Sequence, residues 1–399
     1  MMEVMNETTK RFVKEHRNDD VKALALQTRR DGDIDLTWAL DQIQGWQMAR
    51  RKLPSWAAIE DIIYPPHLSM EQCSSEQTAR YKCSVVDTLP TSSHETLIDL
   101  TGGFGVDFSY LASRARHAIY VERIEHLCET AKHNFGLLGL DHATVIHAQA
   151  EDILNDLDSN PASTLIYLDP ARRDSNSSRT YAMADCTPNV LEMLDGLFRA
   201  AHHLLIKLSP MLDWHKAVSD LGGHVKEVHI VSAGNECKEL LLLLSADHEG
   251  EPAVHCINDN QSLIYLSPQG QPLKIADNEA ANYLYEPNAS VMKAGCFGII
   301  TERFAVKALA PDSHLFVSDE PVLDFPGRRF VIDGVTTMNK KELSRALSGV
   351  TRANIATRNF PMTAQQLRQR LRMQDGGECY IFGTTTASGQ RLIYRCHKL

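Results

Sequence analysis

A doubly wound α/β sheet, preceded by a helical module and followed by a small α+β domain, is the fold class this sequence predicts. Three observations carry it. Short β-branched or apolar runs alternate with runs of helical period between residues 96 and 208. A glycine-rich segment, Thr101–Gly105, follows the first of those runs. After about residue 250 the alternation stops and gives way to short elements suited to one-sided layers.

Taken in order, residues 1 to about 70 read as helical. Trp38, Ile43, Trp46, Leu53, Trp56 and Ile59 recur at roughly helical intervals, and Pro65-Pro66 ends the module. A helix start is expected at Ser74-Ser75-Glu76-Gln77, where a serine oxygen and a glutamine side chain form a capping box. Strands are predicted over Thr96–Leu100, Ala118–Glu122, Thr144–His147, Thr164–Leu168 and His203–Leu208. Helices are predicted up to Ala115 and over Glu125–Leu138 and Pro188–Ala201. Val225–Val231 and Glu239–Ser245 lie close together and read as a hairpin, which makes one edge of the sheet antiparallel. Further on, helices are expected over Asn288–Arg303, Lys340–Leu347 and Ala364–Leu371. Strand-like runs are His314–Val317, Arg329–Asp333 and Arg352–Thr357, with a last hairpin of Tyr380–Thr384 and Leu392–Cys396. The predicted boundaries are 1–73, 74–250 and 251–399.

With 43% hydrophobic and 23% charged residues, the chain is globular, and no apolar run is long enough to cross a membrane. The N-terminus lacks the apolar core of a secretory signal. Nine cysteines without a C-x-x-C pair point to reduced thiols in a cytoplasm and to no zinc site. The 17 histidines are dispersed, and no metal is expected; His202-His203 reads as structural. The net charge of −10 speaks against nucleic acid until it is divided along the chain. Residues 328–399 hold 13 Lys+Arg and 4 Asp+Glu, a net +9, which leaves −19 for the rest. A basic module thus sits on an acidic body.

The strongest chemical signal is Asp99-Leu100-Thr101-Gly102-Gly103-Phe104-Gly105-Val106-Asp107, between the first sheet strand and its helix. Glycines there let backbone approach a ligand, and a helix start offers free N–H groups. Two details favour S-adenosyl-L-methionine over a dinucleotide. Asp99 would repel a diphosphate but attract an ammonium. The spacing is G-G-x-G, not G-x-G-x-x-G. Glu122, at the end of the second strand, can accept ribose hydroxyls from either ligand. A purely structural tight turn is the plain alternative.

At these residues the sequence resembles the class I S-adenosylmethionine-dependent methyltransferases, whose sheet is Rossmann-like. Asp99–Gly105, with Thr101, Gly102, Gly103 and Gly105, matches the family's first motif and Glu122 its second; Asp107 and Arg123, beside them, are expected to bind the cofactor too. His147–Asp152 matches the third, with Gln149 where aspartate is common. Which of Gln149, Ala150 and Asp152 contacts adenine stays open. The resemblance covers about residues 75–246.

After the fourth strand stands Asp169-Pro170-Ala171-Arg172, at the place where such enzymes hold the acceptor. Asp169 at a strand end can hold the acceptor or take a proton, and Arg172 can clamp a phosphate. An Asp-Pro turn with a surface arginine is the alternative. The D-P-A-R run is similar to that of RNA 5-methyluridine methyltransferases. That family, however, places a cysteine nucleophile after the fifth strand, where this chain reads Lys207-Leu208-Ser209-Pro210. A nucleophile intrinsic to the substrate is therefore expected. Cys186 and Cys237 read as buried thiols, and Asn235-Glu236 as a turn.

Residues 280–399 resemble the THUMP-like domain found behind such methyltransferase domains, on Tyr285–Gly295 and Phe316–Asp319. The resemblance implies RNA binding. Arg352, Arg358, Arg368, Arg370 and Arg372, with Lys340, Lys341 and Arg345, imply it independently through charge. The expected function is methylation of a base in structured RNA, tRNA or rRNA, by direct transfer. Its rivals are a protein or small-molecule methyltransferase, a non-catalytic RNA-binding protein with the same fold, and an NAD oxidoreductase.

Overall fold

Residues 6–27, 33–157, 159–172, 182–267, 271–277 and 280–399 are described by a computed structural model. Two compact units emerge: residues 1–226 with 241–250, and residues 227–240 with 251–399.

The first unit opens with helices α1 (Glu7–His16), α2 (Val21–Gln27), α3 (Leu36–Lys52), α4 (Pro54–Ala57), α5 (His67–Gln72) and α6 (Glu76–Val86). A capping box does start α6, but its partners are Ser75 and Thr78, because the cap is Ser75 and N3 is counted from there. Then come β1 (Thr96–Asp99), α7 (Val106–Leu111), β2 (His117–Glu122), α8 (Glu125–Leu137), β3 (Ala143–His147), α9 (Ala150–Asp156) and β4 (Thr164–Leu168). A two-residue ladder of β5 (Ala171–Arg172) and β6 (Cys186–Thr187) precedes α10 (Val190–Ala200), β7 (His203–Leu208) and α11 (Trp214–Asp220). The hairpin β8 (Val225–Ala233) and β9 (Glu236–Ser245) follows, and the division between units falls inside it. Its two turn residues, Gly234 and Asn235, both have positive φ, the mark of a type I′ turn.

In the first unit the strand order is β9-β7-β4-β1-β2-β3. β1 is parallel to β2 on one side and to β4 on the other, and β4 is parallel to β7. The chain thus winds outward in both directions from β1 and β4. Ligands of such sheets bind at that reversal, beyond the carboxyl ends of the strands. β4 is buried along its whole length, as a covered parallel strand requires. The helical module packs onto the glycine loop. Phe104 and Val106 share a core with Leu53, Trp56, Tyr64 and Met70, and the Phe104 and Trp56 rings lie 5.0 Å apart.

In the second unit β8 is continued by β10 (Ala253–Asn258), parallel to it, and β11 (Gln261–Leu266), antiparallel to β10. The sequence signalled neither strand. Next are β12 (Tyr283–Pro287), α12 (Ala289–Ala294), α13 (Phe297–Arg303), β13 (Lys307–Ala308), β14 (Phe316–Ser318), β15 (Gly327–Thr337), α14 (Lys340–Ala346), β16 (Asn354–Arg358), α15 (Ala364–Leu371), β17 (Tyr380–Thr385) and β18 (Arg391–Lys398). The single helix expected over 288–303 is two, because Gly295 ends the first in the left-handed region at φ 69°. Their sheet runs β13-β14-β12-β15-β18-β17-β16. One side carries Leu284, Phe330, Phe382 and Tyr394, and the other is covered by Leu347 and Leu367 beside α14 and α15. No helix among the described residues is long and apolar enough to cross a membrane.

Candidate active site

Where β1, β2, β3 and β4 end, a cleft of about 300 Å³ opens in the first unit. Asp99, Thr101, Gly102, Gly103, Gly105, Asp107, Glu122, Arg123, Gln149, Ala150 and Asp169 all line it. Asp152 does not: it is exposed on the first turn of α9. Pro170 is buried and does not line the cleft. Arg172 lies in β5, and its side chain is outside the described residues. A larger cavity of about 680 Å³ lies among the N-terminal helices beside Trp38, Trp46 and Tyr64. There Glu60 is paired with Lys14 and Arg17, and no glycine loop or strand end contributes.

The glycine loop is shaped by what it packs on. Gly102 donates to Val121 O at 2.9 Å, and a Cβ there would stand 2.3 Å from the Tyr120 ring. Gly105 has φ 83°, and a Cβ on it would meet Phe135 at 2.8 Å. Gly103 has φ 57°, and a Cβ on it would meet nothing nearer than Thr101 O at 3.7 Å. Its N–H donates to Glu122 Oε2 at 2.8 Å, while Ile124 N–H donates to Oε1 at 2.8 Å. The second-strand carboxylate is thereby fixed at the cleft wall by two backbone donors. Gln149 caps no helix N–H and its amide is exposed to the cleft.

Asp99 is 1% exposed, and Thr101 N–H donates to its Oδ1 at 2.9 Å. Burial pushes its carboxyl well above the usual range against that hydrogen bond, and Asp107, Asp169 and Glu122 add to the push. Thr101 Oγ donates to Asp99 Oδ1 at 3.3 Å and accepts the Asp169 N–H at 2.6 Å.

Asp107 turns inward. Its Oδ2 accepts from Ser74 and Tyr167, each at 2.7 Å, and Lys82 Nζ lies 3.2 Å from Oδ1. Burial opposes its charge, but Lys82 and then Lys207 outweigh burial and hold the carboxyl below the usual range. Lys207 also pairs with Asp169 Oδ2. Sequence reasoning missed Lys82 and Lys207. The signal for Lys207 was a lone cation inside an apolar strand, Leu204–Leu208, where a buried charge needs a partner.

Of the cysteines, Cys73 lines the cleft; its thiol donates to Met70 O at 3.3 Å. Burial pushes that thiol up, away from the thiolate a nucleophile requires. Cys186 is buried and Cys237 half-buried. Asn235 Oδ1 accepts the Ala289 N–H at 2.9 Å in the second unit. His202 faces Ser245 at 3.2 Å, and burial brings His203 down to about 4.

A crystal structure named "putative methyltransferase from Porphyromonas gingivalis W83" matches 98% of this chain and 97% of its own, at 32% identity and a TM-score of 0.84. The chain belongs to that family. This chain joins a methyltransferase-fold sheet to a THUMP-like C-terminal part. Residues 283–326 match a ferredoxin-like domain model and residues 327–398 a THUMP domain-like model. An rRNA methylase from Streptococcus thermophilus matches at 13% identity over 44% of this chain and 95% of its own, TM-score 0.32. A "putative rRNA-methylase" from Clostridium thermocellum matches at 15% over 42% and 95%, TM-score 0.31. No functionally curated protein matches.

Proposed function

We propose that the protein is an S-adenosylmethionine-dependent methyltransferase that modifies a base in structured RNA. The observation that carries the cofactor assignment is the charge pattern of the cleft. Five carboxylates line it, Asp99, Asp107, Glu122, Glu151 and Asp169; Asp107 and Asp169 are paired with lysines, while Asp99 and Glu122 are held by backbone and hydroxyl donors. That arrangement favours a ligand with cationic groups and disfavours a diphosphate. The glycine loop fits the same ligand, since the absence of a side chain on Gly103, whose Cβ position has only Thr101 O near it at 3.7 Å, leaves room for a ligand to approach the backbone. Asp99, the loop Thr101–Gly105, Glu122 and Gln149 would hold it. When bound, S-adenosylmethionine supplies a methyl group on a sulfonium, open to in-line attack.

Asp169 then presents Oδ1 to the acceptor, since Oδ2 is taken by Lys207 and the backbone N–H by Thr101. A carboxylate held there aligns a base N–H group and accepts its proton as the nitrogen is methylated. Cys73 is held as a thiol, which supports direct transfer without a covalent enzyme intermediate. RNA is favoured as substrate by the second unit. Lys340, Lys341, Arg345, Arg370 and Arg372 are exposed on α14, on α15 and at its end, two helices that pack on one core cluster. Backbone contacts by such side chains suit a folded RNA.

Incubating the purified protein with labelled S-adenosylmethionine and total tRNA or rRNA, then digesting to nucleosides, tests this. A labelled nucleoside absent from an Asp169→Ala reaction is expected. Label on protein or small molecules alone would leave the fold-level assignment standing and remove RNA as substrate.

A further inference from the structure

Two histidines and a glutamate converge in the second unit, apart from the cleft residues. Glu227 and His229 stand two residues apart on β8 and so share a face of the sheet. β10 runs parallel to β8 with His255 directly beside His229, which puts its ring on the same face. His229 Nε2 is 3.1 Å from Glu227 Oε2, and His255 Nε2 is 3.8 Å from that same oxygen. All three potential ligand atoms lie within 4.8 Å of one another, and the two rings are 4.4 Å apart.

We propose that Glu227, His229 and His255 form a binding site for a divalent transition-metal ion of the zinc type. A tetrahedral ion with bonds of about 2.0–2.2 Å spaces its donors roughly 3.3–3.6 Å apart. The separations of 3.1 and 3.8 Å bracket that spacing. His255 Nε2, at 3.8 Å, is beyond hydrogen-bond reach of the Glu227 oxygen, whereas an ion would join all three ligand atoms. Side-chain exposures of 3%, 13% and 20% for His229, Glu227 and His255 leave the cluster largely shielded from bulk water, with His255 its most accessible member. The two-nitrogen, one-carboxylate set suits Zn²⁺ and its first-row neighbours over Mg²⁺ or Ca²⁺. Bound metal would fasten β10 to β8.

The full-length protein, stripped with a chelator and kept reduced, is titrated with Zn²⁺ by calorimetry. One tight equivalent is expected, with a melting temperature that rises with Zn²⁺. His255→Ala, at the most exposed ligand, and Glu227→Gln should each weaken binding by more than about 100-fold, beyond the ~10–100-fold that outer-shell partners contribute. Their circular dichroism should match the wild type. Co²⁺ should give a tetrahedral spectrum without a sulfur-to-metal band, since nine free cysteines offer competing sites. A wild type that binds no Zn²⁺, a His255→Ala variant that binds as tightly, or a thiolate-type cobalt spectrum overturns the proposal.

Discussion

The hydroxyl of Thr101 accepts the backbone N–H of Asp169 at 2.6 Å, so the loop after β1 and the loop after β4 are joined by one short hydrogen bond. Thr101 also donates to Asp99. Replacing it by valine keeps the shape and leaves the Asp169 N–H without its acceptor. A loss of about 1–3 kcal/mol is expected. Because both loops lean on this contact, cofactor affinity and turnover should fall together. Calorimetry with S-adenosylmethionine and a methyl-transfer assay measure the two.

The pair of Lys207 and Asp169 lets binding be told from chemistry. If Asp169 takes the acceptor's proton as proposed, Asp169→Asn keeps the Thr101 contact and loses that function. Turnover should fall about 100- to 10,000-fold with cofactor affinity nearly unchanged. Lys207→Met should lower turnover as well. A turnover left intact in both would remove Asp169 from the chemistry.

Glu122 gives the converse pattern. Glu122→Gln replaces an acceptor-only carboxylate that serves Gly103 and Ile124 with an amide that can satisfy one of them. Cofactor affinity should drop about tenfold or more, near 1.4 kcal/mol, since charge-assisted bonds are the stronger ones. Turnover at saturating cofactor should change less than in Asp169→Asn.

Asp107 and Asp99 should shape stability against pH with opposite signs. The folded value of Asp107 lies below its unfolded value of about 4, so its contribution is fully present above that pH and lost as pH falls through the folded value. Asp99 is raised, so it costs stability increasingly as pH climbs from about 4 towards its folded value. In denaturation at pH 7, Asp99→Asn should be more stable than wild type. Lys82→Met should be less stable by about 3–5 kcal/mol, having left a buried carboxylate with a weakened partnership.

If α14 and α15 meet RNA phosphates, affinity should fall linearly with the logarithm of salt concentration. Each of Lys340→Ala, Lys341→Ala and Arg370→Ala should reduce that slope by about one wherever the side chain neutralises a phosphate. Filter binding of tRNA across a salt series reads this directly. Arg358 and Arg368 should behave differently, since Glu286 and Asp375 already engage them.

That last contrast marks where sequence reading stops. The charge of residues 328–399 was legible, but of five arginines singled out there, Arg358 and Arg368 are in ion pairs and Arg352 donates to Asp375 O. Pairing is a tertiary property, and of the five only Arg370 and Arg372 are exposed and outside these three contacts. The same limit hid Lys82 and Lys207, whose carboxylate partners come from other elements. The strand–helix alternation and the glycine loop were legible because both are local: periodicity and left-handed φ leave their mark on neighbouring residues. β10 was missed because Asn258 takes one of its three buried positions and His255 breaks the apolar run between Val254 and Cys256. Its pairing with β8 on one side and β11 on the other makes it a strand.

Glu286 is 2% exposed, and its two oxygens are taken by Arg328 and Arg358. The carboxylate belongs to residues 283–326, which match one family model; both guanidiniums belong to 327–398, which match another. β12 and β15 are hydrogen-bonded across the same divide. Cut between them, the first piece would hold a buried anion and a bare strand edge, and the second two cations with nothing to face. The two segments are therefore not interchangeable parts. They can be moved, truncated or inherited only as one piece.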